Sequence, residues 1–127
     1  MKRAATQGYS GLSRSSVLLT LHHSRRSDDP LIERVSDMAK RLGGDVFMRQ
    51  AAHPRGGDLD RLAEIACPTL IIASADDRVR GVVEAEELRA GIRHSELVLI
   101  DGAGHIAPLE APDQLARVIE SWIDRVI

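Results

Sequence analysis

Apolar residues in the first half of this chain recur at the three- and four-residue spacing that is typical of amphipathic helices. The clearest helical pattern covers residues 27–44. Six apolar side chains share one face of this predicted helix: Leu31, Ile32, Val35, Met38, Ala39 and Leu42. Asp28 or Asp29 can cap the start of the helix. Pro30 suits its first turn, and Gly43 suits its end.

Two shorter stretches of the first half, residues 15–23 and 45–52, also have helical patterns. Regular structure is interrupted at residues 53–58, which contain a proline and two glycines. No strand pattern occurs before this interruption. We therefore divide the chain into a helical segment, residues 1–57, and a second part, residues 58–127.

The second part alternates strand patterns with helix patterns. After a short predicted helix at residues 58–65, wholly apolar runs occupy residues 70–73 and 97–100. Each run is followed by a helical pattern, at residues 82–92 and 112–127. Short continuous apolar runs are typical of strands that are buried on both faces in a parallel sheet. The sequence therefore predicts an α/β fold with a βαβα unit, two parallel strands and a right-handed crossover.

Composition narrows the class of protein. The 127 residues are enough for one domain with a core. The net charge of −2 disfavours binding to nucleic acid or to an anionic membrane. Aromatic residues are only 2%, which disfavours a surface that stacks on bases. The single cysteine, Cys67, excludes an intrachain disulfide, and we interpret it as a small buried apolar side chain. No secretory signal or membrane-spanning run is recognised, so we expect a cytoplasmic protein.

Polar side chains follow both predicted strands. Asp76 and Asp77 come after the first strand, and His105 comes after the second. Because the carboxyl ends of parallel strands meet at one edge of a sheet, an aspartate can reach Nδ1 of His105. Such a contact orients the imidazole and stabilises its protonated form. Gly102 and Gly104, which accept positive φ angles, favour a tight turn that presents the histidine.

The stretches CPTLIIASADDRV and SELVLIDGAGHIAPLEAPDQLARVIESWI resemble the C-terminal part of the α/β-hydrolase family. This resemblance covers residues 58–127 and implies a partial α/β-hydrolase fold. By position it implies that Asp77 is the triad acid, with Asp76 as the alternative, and that His105 is the triad histidine. Residues 1–57 resemble, more loosely, the helical cap of the family.

The sequence also departs from the family pattern. Ser74 stands where members usually carry glycine, and no strand followed by a Gly-x-Ser-x-Gly elbow is found. The most similar stretch is GYSG, residues 8–11, and we interpret its Ser10 as a loop or cap serine. Cys67 is not expected to replace the nucleophile. The resemblance implies esterase-like serine hydrolase chemistry, to which this chain contributes the acid and the histidine without a nucleophile.

Other interpretations of these residues remain open at this point. Asp77 could instead cap a helix, and His105 could be a structural turn residue. A metal site built from Asp76, Asp77 and His105 is disfavoured because no metal-binding spacing is present, and no cofactor is expected. Glu110 is interpreted as capping or bracing the final helix. The remaining histidines are interpreted as solvated: His22, His23, His53 and His94.

A sheet of two parallel strands has free edges, which proteins normally cover. We therefore expect this chain to form a homo-oligomer or to bind a separate chain that carries the missing N-terminal half. A small ester-like substrate is expected only for such a completed enzyme. The alternative is a truncated, non-catalytic remnant that acts as a binding or oligomerising module. Neither alternative involves nucleic acid or a membrane.

Overall fold

The computed structural model describes residues 8–126. Helices come first and a strand–helix–strand–helix unit follows, as the sequence predicts. The elements are α1 (Arg14–Thr20), α2 (Asp29–Leu42), α3 (Gly44–Ala51), β1 (Thr69–Ser74), α4 (Val82–Gly91), β2 (Ser95–Ile100), α5 (Ala107–Glu110) and α6 (Pro112–Val126). Two short 3₁₀ helices, His23–Arg25 and Leu59–Glu64, lie between them.

Both ends of α2 follow from local chemistry. The Asp28 side chain accepts a hydrogen bond from the N–H of Leu31 at 3.1 Å, which satisfies a free donor of the first turn. The Arg25 guanidinium and this N–H hold the pKa of the Asp28 carboxyl below its usual value. At the other end Gly43 has a φ of 80°, which residues with a side chain rarely adopt. The predicted cap, first-turn proline and terminating glycine of this helix are confirmed.

A buried apolar cluster joins the N-terminal helices to the segment that follows β2. Its members are Val17, Leu21, Leu31, Ile32 and Val35. Ile106 and Leu109, which come from the second part of the chain, pack against this cluster. The helical segment therefore shares a core with the loop that carries His105. The boundary at residue 57 stays a prediction.

Strands β1 and β2 form a two-stranded parallel sheet in which Thr69 lies opposite Ser95. Helix α4 connects the two strands. The expectation that both strands are buried on both faces is wrong within the described residues, since Leu99 is 44% exposed. The buried strand positions are Ile71, Ser74, Ser95 and Ile100. A sheet of two strands is too narrow for its side chains to be buried on both faces.

One edge of β1 carries no partner strand in the described part of the protein. The N–H groups of Thr69 and Ala75 donate to the carbonyl oxygens of His94 and Ile100, at 2.8 and 2.9 Å, on the side of β2. Because backbone groups alternate along a strand, the intervening even-numbered residues turn theirs to the other edge. These are Leu70, Ile72 and Ser74.

Helix α6 has an apolar stripe that its neighbours only partly cover, formed by Leu115, Val118, Ile119, Trp122, Ile123 and Val126. None of its residues with a described side chain is buried, and Ile119 and Ile123 are 38% and 40% exposed. An amphipathic helix normally places such a stripe against a core. The stripe of α6 and the free edge of β1 are therefore surfaces that a wider sheet would cover.

The connection into β1 contains the cysteine. Cys67 is exposed, so the prediction of a buried apolar side chain is wrong. The reason is its position before Pro68, ahead of the first paired residue of the sheet. Between residues 8 and 126, no helix combines the length and the apolar character that crossing a bilayer requires.

Candidate active site

The turn after β1 fixes the carboxylate of Asp77. Its Oδ1 accepts hydrogen bonds from the N–H groups of Val79 and Arg80, at 2.8 and 2.9 Å. An aspartate that closes a turn in this way has little rotational freedom. The Asp77 side chain is only 11% exposed, and its second oxygen, Oδ2, points to a different partner.

That partner is His105, in the turn after β2. Its Nδ1 lies 2.9 Å from Oδ2 of Asp77, so the contact expected from the sequence is present. The carboxylate favours the tautomer with the proton on Nδ1, which leaves the lone pair on Nε2. The His105 side chain is 38% exposed, and within residues 8–126 no group forms a hydrogen bond to Nε2. The ring can therefore exchange a proton with a bound ligand.

Opposing effects act on the pKa of Asp77. Burial raises the pKa of the Asp77 carboxyl, but hydrogen bonds from the Arg80 N–H, the His105 ring and the Val79 N–H outweigh burial and lower it below its usual value. Asp77 is therefore ionised at neutral pH. Its charge is available to stabilise a protonated imidazole.

The two glycines before His105 have different roles. Gly102 has a φ of 71°, as the sequence predicts, and a Cβ there would meet open space. Gly104 does not have a positive φ, so its conformational freedom is not what requires glycine there. Instead, a Cβ at Gly104 would lie 2.7 Å from both the carbonyl oxygen of Thr20 and the backbone nitrogen of His22. Close backbone approach is the reason for glycine at this position.

One direct hydrogen bond, and two more that share the Glu110 carboxylate, join the turn after β2 to residues 20–22. The N–H of His105 donates to the carbonyl oxygen of Thr20 at 2.7 Å. The N–H groups of His22 and Gly104 donate to Oε1 and Oε2 of Glu110, at 2.7 and 2.8 Å. The interpretation that Glu110 caps or braces α6 is wrong, because both of its carboxylate oxygens bind elsewhere.

His22 is buried, so the prediction that it is solvated is wrong. Its Nδ1 lies 2.7 Å from Oγ of Ser24, and its Nε2 lies 3.2 Å from Oδ2 of Asp76. Asp76, the alternative acid, therefore contacts His22 rather than His105. Thr20 interrupts the apolar residues before His22, so the local sequence gives no signal for the burial of this histidine. The other three histidines are exposed, as predicted: His23, His53 and His94.

A groove of about 430 Å³ runs beside the acid–histidine pair. Ile72 of β1, Leu88 of α4 and Leu115 of α6 form apolar parts of its wall. Asp77 and His105 line the same groove. An apolar cleft with a few polar groups is typical of a site for a small organic ligand.

Neither a metal site nor a nucleophile is evident at this pair. No group of three His, Cys, Asp or Glu side chains within residues 8–126 could hold a metal ion. Ser10 is exposed before α1, and in this described range no hydrogen bond joins a serine or the cysteine to the His105 ring. Within the described residues, the geometry therefore pairs a carboxylate with an imidazole and brings no serine or cysteine into hydrogen-bond contact with the ring.

The parallel strands with their connecting helices define an open α/β protein whose polar groups gather at the carboxyl ends of the strands. The sequence profile described as "Alpha/beta hydrolase family" matches residues 4–118. The chain therefore belongs to the alpha/beta hydrolase family.

Individual relatives support the same assignment. The chain is 31% identical over 98 residues to a proline iminopeptidase of Lactobacillus helveticus, a match covering 69% of this chain and 33% of the relative. It is 30% identical over 116 residues to a 2-hydroxy-6-oxononadienedioate/2-hydroxy-6-oxononatrienedioate hydrolase of Paraburkholderia xenovorans. This match covers 88% of this chain and 40% of the relative. The chain thus spans less than half the length of these curated relatives.

A solved structure shows the same architecture. The match to a thermophilic esterase from Thermogutta terrifontis has a TM-score of 0.79 at 23% identity. It covers 98% of this chain and 47% of the esterase chain. The fold of this chain therefore corresponds to about half of that esterase chain.

Proposed function

We propose that this chain supplies the acid and the general base of an esterase-like hydrolase, with Asp77 and His105 in these roles. The observation that carries the proposal is the 2.9 Å contact between Oδ2 of Asp77 and Nδ1 of His105 beside the groove. The order of acid before histidine along the chain is that of serine hydrolases with this fold.

The pair would act by moving one proton. Nε2 of His105 accepts the proton of an attacking serine hydroxyl while the serine oxygen bonds to the ester carbonyl carbon. Asp77 stabilises the resulting imidazolium. The imidazolium then gives the proton to the departing alkoxide, and water repeats the sequence to release the acid and regenerate the serine.

We propose that the serine comes from a polypeptide that carries the N-terminal half of the fold. The free edge of β1 and the apolar stripe of α6 support this, because both are surfaces that additional strands would cover. Association with a second copy of the chain is the alternative. The substrate class proposed for the completed enzyme is a small ester.

A complementation assay tests this proposal. The chain is mixed with the part of the Thermogutta terrifontis esterase outside the matched region, and hydrolysis of p-nitrophenyl butyrate is measured. We expect turnover that falls by about 10³-fold or more with His105→Ala and also falls with Asp77→Asn. The control is Glu96→Gln, because Glu96 is partly exposed and pairs with Arg125.

Turnover that persists in His105→Ala contradicts the proposal. Failure of the two folded polypeptides to give any turnover after they bind each other also counts against it. Binding in a pull-down experiment separates this outcome from a failure to associate.

A second proposal is a non-catalytic binding or oligomerising module. Two observations favour it: no serine is hydrogen-bonded to His105 within residues 8–126, and one edge of β1 carries no partner strand. In this case the isolated chain self-associates, and His105→Ala leaves that association unchanged. Sedimentation velocity of the wild-type chain and the variant measures this directly.

A further inference from the structure

We propose that Glu110 is a positioning residue that holds His105 in reach of Asp77. This inference rests on the proposed function, in which His105 is the general base. The Glu110 carboxylate binds the N–H of Gly104, the residue directly before His105, at 2.8 Å. Its other oxygen binds the N–H of His22 at 2.7 Å, across 88 positions of sequence.

The environment of Glu110 indicates a specific role. The residue is 8% exposed, and burying a carboxylate is costly unless hydrogen bonds compensate. Both oxygens here accept short hydrogen bonds from backbone N–H groups, which are strong when the acceptor is charged. Arg25 lies nearby, but its Nη1 donates to the backbone oxygen of Glu110 at 3.2 Å. Hydrogen bonds to two separate loops thus compensate for burial of the charge.

The hydrogen bond between Glu110 and the N–H of Gly104 restrains the backbone of His105, because the two residues are adjacent in the chain. The N–H of Gly104 is held by Glu110, and the next N–H, that of His105, is held by Thr20 at 2.7 Å. Two consecutive anchored N–H groups fix the backbone from which the imidazole projects. Only the side-chain torsions of His105 then remain free, and the bond to Asp77 fixes those.

The first test is the titration of Asp77 in Glu110→Gln. Glutamine has nearly the same size, but its amide provides one acceptor oxygen where the carboxylate provides two. If the turn loses its position, Asp77 loses the hydrogen bond from His105 that lowers its carboxyl pKa. We expect the pKa of Asp77, followed by carboxyl ¹³C NMR, to move up toward its value in His105→Ala.

Glu96→Gln is the matched control, because it removes one negative charge from a partly exposed site without touching either loop. We expect this control to titrate at Asp77 like the wild-type chain. A purely structural role for Glu110 changes unfolding but leaves the pKa of Asp77 unchanged in the folded variant. That result would overturn the proposal.

A second measurement uses the unaltered protein in case Glu110→Gln does not fold. Scalar couplings across hydrogen bonds are recorded between the Glu110 carboxyl carbon and the amide nitrogens of Gly104 and His22. Both couplings are expected, and their absence overturns the inference. Neither measurement requires turnover, so failure of ester hydrolysis in the complementation assay is distinguishable from failure of this inference.

Discussion

At the residue scale, the position of His105 depends on contacts to its ring and to its backbone. Asp77 holds the ring at Nδ1, and Thr20 holds the backbone N–H. Asp77 is itself held by the N–H groups of Val79 and Arg80. Each member of the pair therefore has its own anchor, and a change at either anchor should alter their contact.

The lowered pKa of Asp77 predicts a pH-dependent contribution to stability. Because the folded state favours the ionised carboxylate, this contribution is complete above about pH 5 and is lost as the pH falls below about 4. We expect the difference in unfolding free energy between wild type and Asp77→Asn to decrease as the pH is lowered from about 5 to below about 4. Urea denaturation at a series of pH values measures it. A difference that stays constant down to pH values near 2 would contradict the assignment.

The close approach at Gly104 predicts a specific steric effect. Gly104→Ala places a methyl group 2.7 Å from backbone atoms of Thr20 and His22, so the two segments must separate. We expect a loss of roughly 1–3 kcal/mol in unfolding free energy, in the range of other overpacked sites. Gly57→Ala is the control, since nothing lies within 4 Å of a Cβ there. Equal stability of the two variants in urea denaturation would show that the approach is not tight.

At the scale of elements, α1 packs one face against the core and leaves another in solvent. Val17 is fully buried in α1, as is Leu21 directly after it, whereas Leu19 is 47% exposed. The buried side also brings residues 20–22 to the turn that carries His105. The stability of this helix and the geometry of the site are therefore connected.

The two leucines allow a matched comparison. Leu21→Ala removes a fully buried side chain and should reduce the unfolding free energy by about 2–5 kcal/mol. Leu19→Ala makes the same chemical change at an exposed position and should alter it by less than about 1 kcal/mol. Thermal and urea denaturation measure both. Similar losses in the two variants would mean that the burial pattern of α1 is different from the one described.

Elements with strong local signals could be predicted from the sequence. The cap at Asp28 and the glycine at Gly43 define α2, and continuous apolar runs define both strands. Parallel strands predict that an aspartate after β1 lies near His105, and the choice of Asp77 over Asp76 rests on the resemblance to the α/β-hydrolase family. The carboxylate of Glu110 could not be assigned in this way, because its bond to His22 spans 88 positions and depends on tertiary packing.

Burial predictions failed where they depended on neighbours. His22 is buried because residues 20–22 lie against Gly104, which no local pattern indicates. Leu99 is 44% exposed because the sheet has only two strands in the described part of the chain. An apolar run identifies a strand, but the width of the sheet decides how much of that strand is buried.

At the scale of the whole molecule, the chain corresponds to about half of a hydrolase fold. In the described residues, one edge of β1 carries no partner strand and the apolar stripe of α6 is partly exposed. We expect the purified chain to self-associate at micromolar concentration, and sedimentation velocity measures this. A monodisperse monomer over the micromolar range would contradict this expectation. Addition of the complementing polypeptide should replace self-association with a mixed complex.

The most direct test of the proposed acid–base role is intact-mass analysis after treatment with a fluorophosphonate, a probe that modifies activated serines. We expect no adduct on this chain alone, and an adduct on the complementing polypeptide that requires His105. The His105→Ala variant is treated in parallel. An adduct on a serine of this chain that depends on His105, or an adduct on the complementing polypeptide that forms equally well with His105→Ala, would contradict the account.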